Sequence, residues 1–168
     1  MDNAAVWAAL DIEIEYQRKK WGFRQPDGTF LDETHTMHEY CIFIRQYLDN
    51  VRVSSAMRAG DIPALDALRE VICLGISCLR QSMSIDDIKA IAADGSGSLC
   101  DFITNIETAL TCLESTVGES ASEPNAQSAS INWLKWLVAL CLGCFQTLSI
   151  NPRDLNQEII NERDGLPA

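Results

Sequence analysis

The sequence predicts an all-α protein, a bundle of about six to seven helices in one domain. Apolar residues recur at three- and four-residue intervals through several long segments, which is the helical period. The chain has only five Pro and nine Gly in 168 residues, and few clusters of β-branched residues. With 47% hydrophobic residues, it can bury roughly two thirds of its unfolded surface without disulfides or metals.

The first half of the chain predicts three helices. Residues 3–21 place Val6, Leu10 and Ile14 on one face, and Gly22 ends that helix before a Gln-Pro-Asp-Gly turn. The second helix, 37–52, follows a capping box made by Thr36 and Glu39. The third, 62–80, follows Asp61 as a cap, with Pro63 in its first turn.

The second half predicts shorter and longer helices in alternation. Ser84 and Asp87 cap a short helix over 85–92, and a flexible break over 93–98 precedes an amphipathic helix over 99–115. Residues 116–130 are small, polar and low in complexity, so a flexible loop is expected there. Helices over 131–149 and 152–163 complete a single domain that spans 1–168.

Two of these helices are apolar around most of their circumference. In the helix over 62–80, Glu70 lies among apolar residues, so it is a ligand, a partnered group or a residue on a solvated strip. The helix over 131–149 is long enough to span a bilayer, but Asn132, Lys135 and Gln146 interrupt it and no basic cluster flanks it. A buried bundle helix is therefore favoured, and two such helices predict self-association into a homo-oligomer.

Charge and cysteine content restrict the partners and the compartment. The net charge is −11, and residues 81–151 hold two Lys against eight Asp and Glu. This disfavours binding to nucleic acid or an anionic membrane and favours a basic protein surface. Seven Cys and an N-terminus without a basic signal region predict a reducing, cytoplasmic location.

Four short motifs each allow a chemical and a structural interpretation. The segment His35 to Glu39 offers imidazoles and a carboxylate for a metal, but capping explains it. Cys141 and Cys144 form a Cys-x-x-Cys inside an apolar helix, which favours packing thiols over zinc. The break at residues 95–98 lacks the Lys of a phosphate-binding loop, so a linker is favoured.

A basic cluster lies at the end of the first predicted helix and consists of Lys19, Lys20, Trp21 and Arg24. It can bind a phosphate while Trp21 stacks on a base. The structural interpretation is that its cations complement the negative end of the helix dipole.

The end of the first helix carries a family resemblance. The residues Glu13, Gln17, Lys20, Trp21 and Gly22, with the Gln-Pro-Asp-Gly turn after them, resemble the opening of phage-type MazG-like proteins. These belong to the all-α nucleoside triphosphate pyrophosphohydrolase superfamily. The resemblance implies a helical oligomer in a bacterial host cell, whose active members bind Mg²⁺ and cleave a nucleotide between its α and β phosphates.

The chain departs from the pattern that this chemistry needs. Active members carry Glu-Glu-x-x-Glu on one helix and Glu-x-x-Asp on the next, whereas the corresponding positions here are Gln46, Tyr47, Asn50, Glu70 and Cys73. We therefore expect a non-catalytic binding protein, a phage or prophage accessory protein that acts on a host protein as an inhibitor or acidic mimic, without a cofactor.

The alternative is a nucleotide-binding protein. It either sequesters the nucleotide or hydrolyses it with Mg²⁺ and an atypical ligand set. The candidate metal ligands are Glu13, Glu39, Asp49 and Glu70, and the candidate nucleotide contacts are Gln17, Lys20, Trp21 and Arg24.

Overall fold

The computed structural model describes residues 3–21, 26, 35–54, 62–119 and 124–150, and the described part is entirely helical apart from turns and connectors. Its helices, in chain order, are α1 (Asn3–Trp21), α2 (Met37–Ser54), α3 (Ile62–Leu79), α4 (Ile85–Lys89), α5 (Leu99–Glu119) and α6 (Pro124–Thr147). The all-α class is confirmed. The helix predicted over 152–163 and the cap at Asp61 lie outside the described residues.

Two helix pairs build the bundle. Helix α2 packs along α3, α5 packs along α6, and the pairs meet through α3 against α6 and α2 against α5. Helix α1 contacts α6 and α3, the two helices of the first of these interfaces. Because α3 and α6 face each other, the two most apolar helices of the chain cover each other within one subunit.

The core follows the predicted apolar faces. It includes Val6, Leu10 and Ile14 of α1 together with Ile44 and Leu48 of α2. The contributions of α3, α5 and α6 are larger, and their fully covered members include Leu68, Val71, Ile72, Ile76, Phe102, Ile106, Leu110, Leu134, Leu137, Val138, Leu142 and Phe145. Since α3 and α6 are covered inside the subunit, self-association no longer follows from their apolar character and stays a prediction.

Side-chain caps begin three of the described helices, α2, α4 and α5. At α2 the Glu39 backbone N–H donates to Thr36 Oγ1 (3.2 Å) while the Thr36 N–H donates to Glu39 Oε1 (3.0 Å), a complete capping box. At α4 the Asp87 N–H donates to Ser84 Oγ (3.1 Å). At α5, Ser98 and Asp101 form a reciprocal capping pair that was not among the caps predicted from the sequence.

The structure differs from the sequence prediction in the segment 116–130. Helix α5 continues to Glu119 and α6 already begins at Pro124, so most of the predicted flexible loop is helical, and residues 120–123 lie outside the description. Proline is well suited to a first helical turn, where its missing N–H costs nothing. Thr116 and Ser130 tie the extended ends together, because Ser130 Oγ donates to Thr116 Oγ1 (2.9 Å).

Helix α4 is shorter than predicted. It ends at Lys89 rather than at residue 92, since Ala90 caps it and the Ile91 N–H donates to Ile88 O (3.0 Å) in a tight last turn. Ile88 and Ile91 are nevertheless buried as the pattern predicted, whereas Ile85 stays exposed.

The stretch Gln127–Thr147 of α6 satisfies the length and composition of a membrane span. Among the described residues no other helix does so. Most of its most apolar window is buried against the rest of the chain, as in the central helix of a bundle.

Candidate functional site

The most unusual feature of the core is a buried ion cluster between α1 and α3. The Arg69 side chain is fully buried, and so is Glu13, with 3.5 Å between Arg69 Nη1 and Glu13 Oε1. On the other side of the guanidinium, Arg69 Nη2 lies 3.6 Å from Glu70 Oε1, and Glu70 is 22% exposed. We call Glu13, Arg69 and Glu70 the Arg69 cluster.

In the Arg69 cluster, the positive charge between the helices is supplied by a side chain of the protein itself. A guanidinium is planar, keeps its charge at any physiological pH and offers several N–H donors in a fixed fork, so one arginine can serve two carboxylates. Burying such charges is costly unless they are paired. The Arg69 guanidinium therefore offsets part of the desolvation cost of the Glu13 and Glu70 carboxylates.

Arg69 is not among the site residues predicted from the sequence. Its signal was present, because an arginine between Leu68 and Val71 falls on the buried face of an apolar helix. Of the three readings left open for Glu70, the structure supports two at once: Glu70 is partnered by Arg69, and its remaining surface reaches solvent.

The candidate metal ligands are not brought to one place. Glu13 and Glu70 belong to the Arg69 cluster, whereas Glu39 belongs to the capping box of α2. Asp49 is exposed ten positions further along the same helix, which is ~15 Å at 1.5 Å per residue. Within the described part of the chain, no group of three or more His, Cys, Asp or Glu is placed to hold a metal ion.

These residues do not fit a pair of Mg²⁺ ions. Magnesium needs near-octahedral oxygen ligands, which in proteins are mostly carboxylates and water. Here Glu13 and Glu70 each lie close to the Arg69 guanidinium, at 3.5 Å and 3.6 Å. Cys73, which follows Glu70 by one turn, is fully buried, and burial with the nearby Glu70 and Glu13 carboxylates raises its pKa well above the usual thiol value.

The His35 segment serves as a helix start. His35 Nδ1 lies 3.1 Å from Glu39 Oε2, its ring meets Tyr40 and Phe43 edge-on, and its carbonyl accepts a hydrogen bond from Gln81 Nε2 (2.8 Å). The Thr36 N–H, then His35, lower the pKa of the Glu39 carboxyl. These contacts support capping and tie the start of α2 to the end of α3.

The candidate nucleotide contacts lie at the end of α1 or beyond it. Gln17, Lys20 and Trp21 fall on the last turns of α1, which is helical through Trp21, but their side chains are outside the described residues, as is all of Arg24. Their role in nucleotide binding stays a prediction.

The Cys-x-x-Cys of α6 is buried, as predicted for packing thiols. Cys141 and Cys144 have no solvent exposure. Burial raises the pKa of Cys144 to about 12 and that of Cys141 well above the usual value. Thiols in this state are poor metal ligands and poor nucleophiles, because both roles need the thiolate.

The connector between α4 and α5 crosses α6 at close range. The Asp94 N–H donates to the Ala139 carbonyl of α6 (3.0 Å), and Gly143 lies directly beneath the Asp94 backbone. Asp94 Oδ2 accepts a hydrogen bond from Trp136 Nε1 (3.1 Å), and Oδ1 accepts one from the Gly95 N–H (2.7 Å). The exposed Asp94 carboxylate is thereby fixed beside an indole ring.

Neither the protein-family models, nor the curated proteins, nor the solved structures contain a match to this chain.

Proposed function

We propose that this protein is a non-catalytic helical binding protein that acts on a basic surface of another protein. The observation that carries the proposal is the Arg69 cluster, in which two of the candidate ligand carboxylates, Glu13 and Glu70, lie within 3.6 Å of a guanidinium of the chain itself. An arginine in that place favours a fixed scaffold over a site that must exchange ions and substrate.

The negative charge at the protein surface supports the same proposal. The net charge is −11, and many of the carboxylates lie at the surface, including Asp49, Asp86, Asp87, Asp94 and Asp101. Such a surface attracts basic partners and speeds their association. As the resemblance to phage-type proteins implies, we place the binding partner in a bacterial host and regard the protein as a phage or prophage accessory protein.

A turnover assay separates this proposal from the enzyme alternative. The protein is incubated with Mg²⁺ or Mn²⁺ and a panel of nucleoside triphosphates, and pyrophosphate release is measured. We expect none. Pyrophosphate release that Glu70→Gln abolishes and the surface control Asp86→Asn leaves intact would instead establish catalysis. A nucleotide that raises the melting temperature without being cleaved would favour sequestration.

A capture experiment tests the binding function directly. The immobilised protein is exposed to bacterial lysate at low salt, and retained proteins are eluted with rising salt. We expect a basic protein that binds at micromolar concentration and is released as ionic strength screens the contact. Retention of acidic and basic proteins alike, or of none, would count against the proposal.

A further inference from the structure

Two tryptophans form an aromatic surface on α6. Trp133 and Trp136 are one turn apart, with ring centroids separated by 5.7 Å and ring planes inclined at 52°. Both are half-buried, so one part of each ring packs on the core and the rest faces solvent. The faces of indole rings carry negative potential and attract cations that lie within about 6 Å of the ring centroid.

Asp94 adds a formal negative charge at the edge of this surface. Its carboxylate is exposed and accepts the Trp136 Nε1–H at 3.1 Å. Its backbone is fixed on α6 by the hydrogen bond to Ala139 O and by the close approach over Gly143. The carboxylate and the indole therefore keep their relative positions before any partner arrives, which lowers the entropic cost of binding.

The charges around these residues favour a cationic ligand. From residue 90 to residue 150, Lys135 is the only Lys or Arg of the sequence. Lys135 follows Trp133 by two positions, about 200° around the helix axis, so it leaves the helix on a different side. Asp94 thus has no neighbouring cation in its own connector to compete for it.

We propose that Trp133, Trp136 and Asp94 form a docking site for an arginine side chain of a basic partner protein. This inference rests on the proposed function, because it specifies which chemical group of the basic partner the protein would recognise. A guanidinium can stack on an exposed indole face while its N–H groups donate to the Asp94 carboxylate, which a lysine ammonium does less well.

The test is calorimetric titration of the full chain with an arginine-rich peptide, a lysine-rich peptide of equal length and an uncharged one. The variants are Trp133→Ala, Trp136→Phe and Asp94→Asn, which keeps an acceptor oxygen for Trp136. Asp86→Asn removes the same charge from exposed α4 and serves as the control. Circular dichroism and thermal melting establish that each variant is folded.

We expect the arginine peptide to bind the wild-type protein most tightly, and Trp133→Ala and Asp94→Asn each to weaken it about fivefold, with Asp86→Asn changing it less than twofold. Equal losses for Asp94→Asn and Asp86→Asn, with no effect at either tryptophan, would overturn the site while leaving a diffuse acidic surface and the proposed function intact. A wild-type protein that binds neither basic peptide would contradict both.

Discussion

At Gly143 the absence of a Cβ lets the connector between α4 and α5 cross α6 at close range. A Cβ built there would overlap the Asp94 carbonyl oxygen, which is backbone and cannot rotate away. We predict that Gly143→Ala lowers the free energy of unfolding by about 1–3 kcal/mol, the usual cost of overpacking, measured by urea unfolding.

The control is Gly118→Ala in α5, where an added Cβ would meet nothing within 4 Å. Alanine is the better helix former, so this variant should gain up to about 1 kcal/mol. A Gly143→Ala protein that is as stable as the wild type, or more stable, would contradict the close approach of the Asp94 backbone to Gly143.

The second residue-scale prediction concerns Arg69. Arg69→Met leaves the fully buried Glu13 carboxylate without its guanidinium, and breaking a buried pair from one side costs about 3–5 kcal/mol. Adding Glu13→Gln removes the stranded charge and should restore a large part of that loss. A double-mutant cycle by chemical denaturation measures the coupling, and strictly additive effects would show that the two side chains do not interact.

At the scale of helices, Arg45 joins α2 to α5. Its guanidinium contacts Glu114 and Thr111 and lies 3.9 Å from Glu107, acceptors spaced along one face of α5. The pair is half-exposed, so we predict a coupling of about 0.5–1 kcal/mol between Arg45→Ala and Glu114→Gln, weaker at high salt.

The matched comparison is Lys89 with Asp11, an exposed pair between α4 and α1 at 2.6 Å. Lys89 has one ion-pair partner among the described residues and the pair is more exposed to solvent than Arg45 with Glu114. We therefore expect a coupling of no more than about 0.5 kcal/mol. A larger coupling for Lys89 than for Arg45 would contradict the assignment of Arg45 as the link between α2 and α5.

The capping box of α2 predicts a pH dependence. The Thr36 N–H and His35 lower the pKa of Glu39 in the folded state, so its contribution to stability is present above the unfolded-state pKa and is lost as pH falls through the folded one. The difference in unfolding free energy between wild type and Glu39→Gln should therefore be present at neutral pH and vanish in acid. If the difference in unfolding free energy between wild type and Glu39→Gln grows as the pH falls, the predicted role of the Glu39 carboxylate is contradicted.

At the scale of the whole molecule, the accessibility of the cysteine thiols to a reagent measures how well the bundle excludes solvent. Cys100 is exposed and Cys112 half-buried, while the other five cysteines are buried. Burial raises the pKa of Cys41 to about 11 and that of Cys78 to about 12. We predict that a thiol reagent near neutral pH modifies Cys100 first, Cys112 more slowly and the remaining five only in denaturant; rapid modification of all seven would mean that the bundle opens readily.

The packing of α3 against α6 removes the reason to expect self-association from the sequence. Two very apolar helices suggested that a second subunit must cover them, yet α3 packs against α6 and is flanked by α2. Self-association therefore does not follow from the apolar character of α3 and α6, and the oligomeric state stays a prediction.

Local patterns determined the helical class, most helix starts and the burial of Cys141 and Cys144, because periodicity and caps act over a few residues. They misjudged 116–130, where small polar residues suit a loop in isolation but continue α5 and α6 once the two helices pack and Ser130 meets Thr116. Tertiary structure alone decided that Arg69 meets Glu13 and that Asp94 lies on α6. Those contacts join residues far apart in the chain, so only the packing of one helix on another brings their charges and hydrogen bonds together.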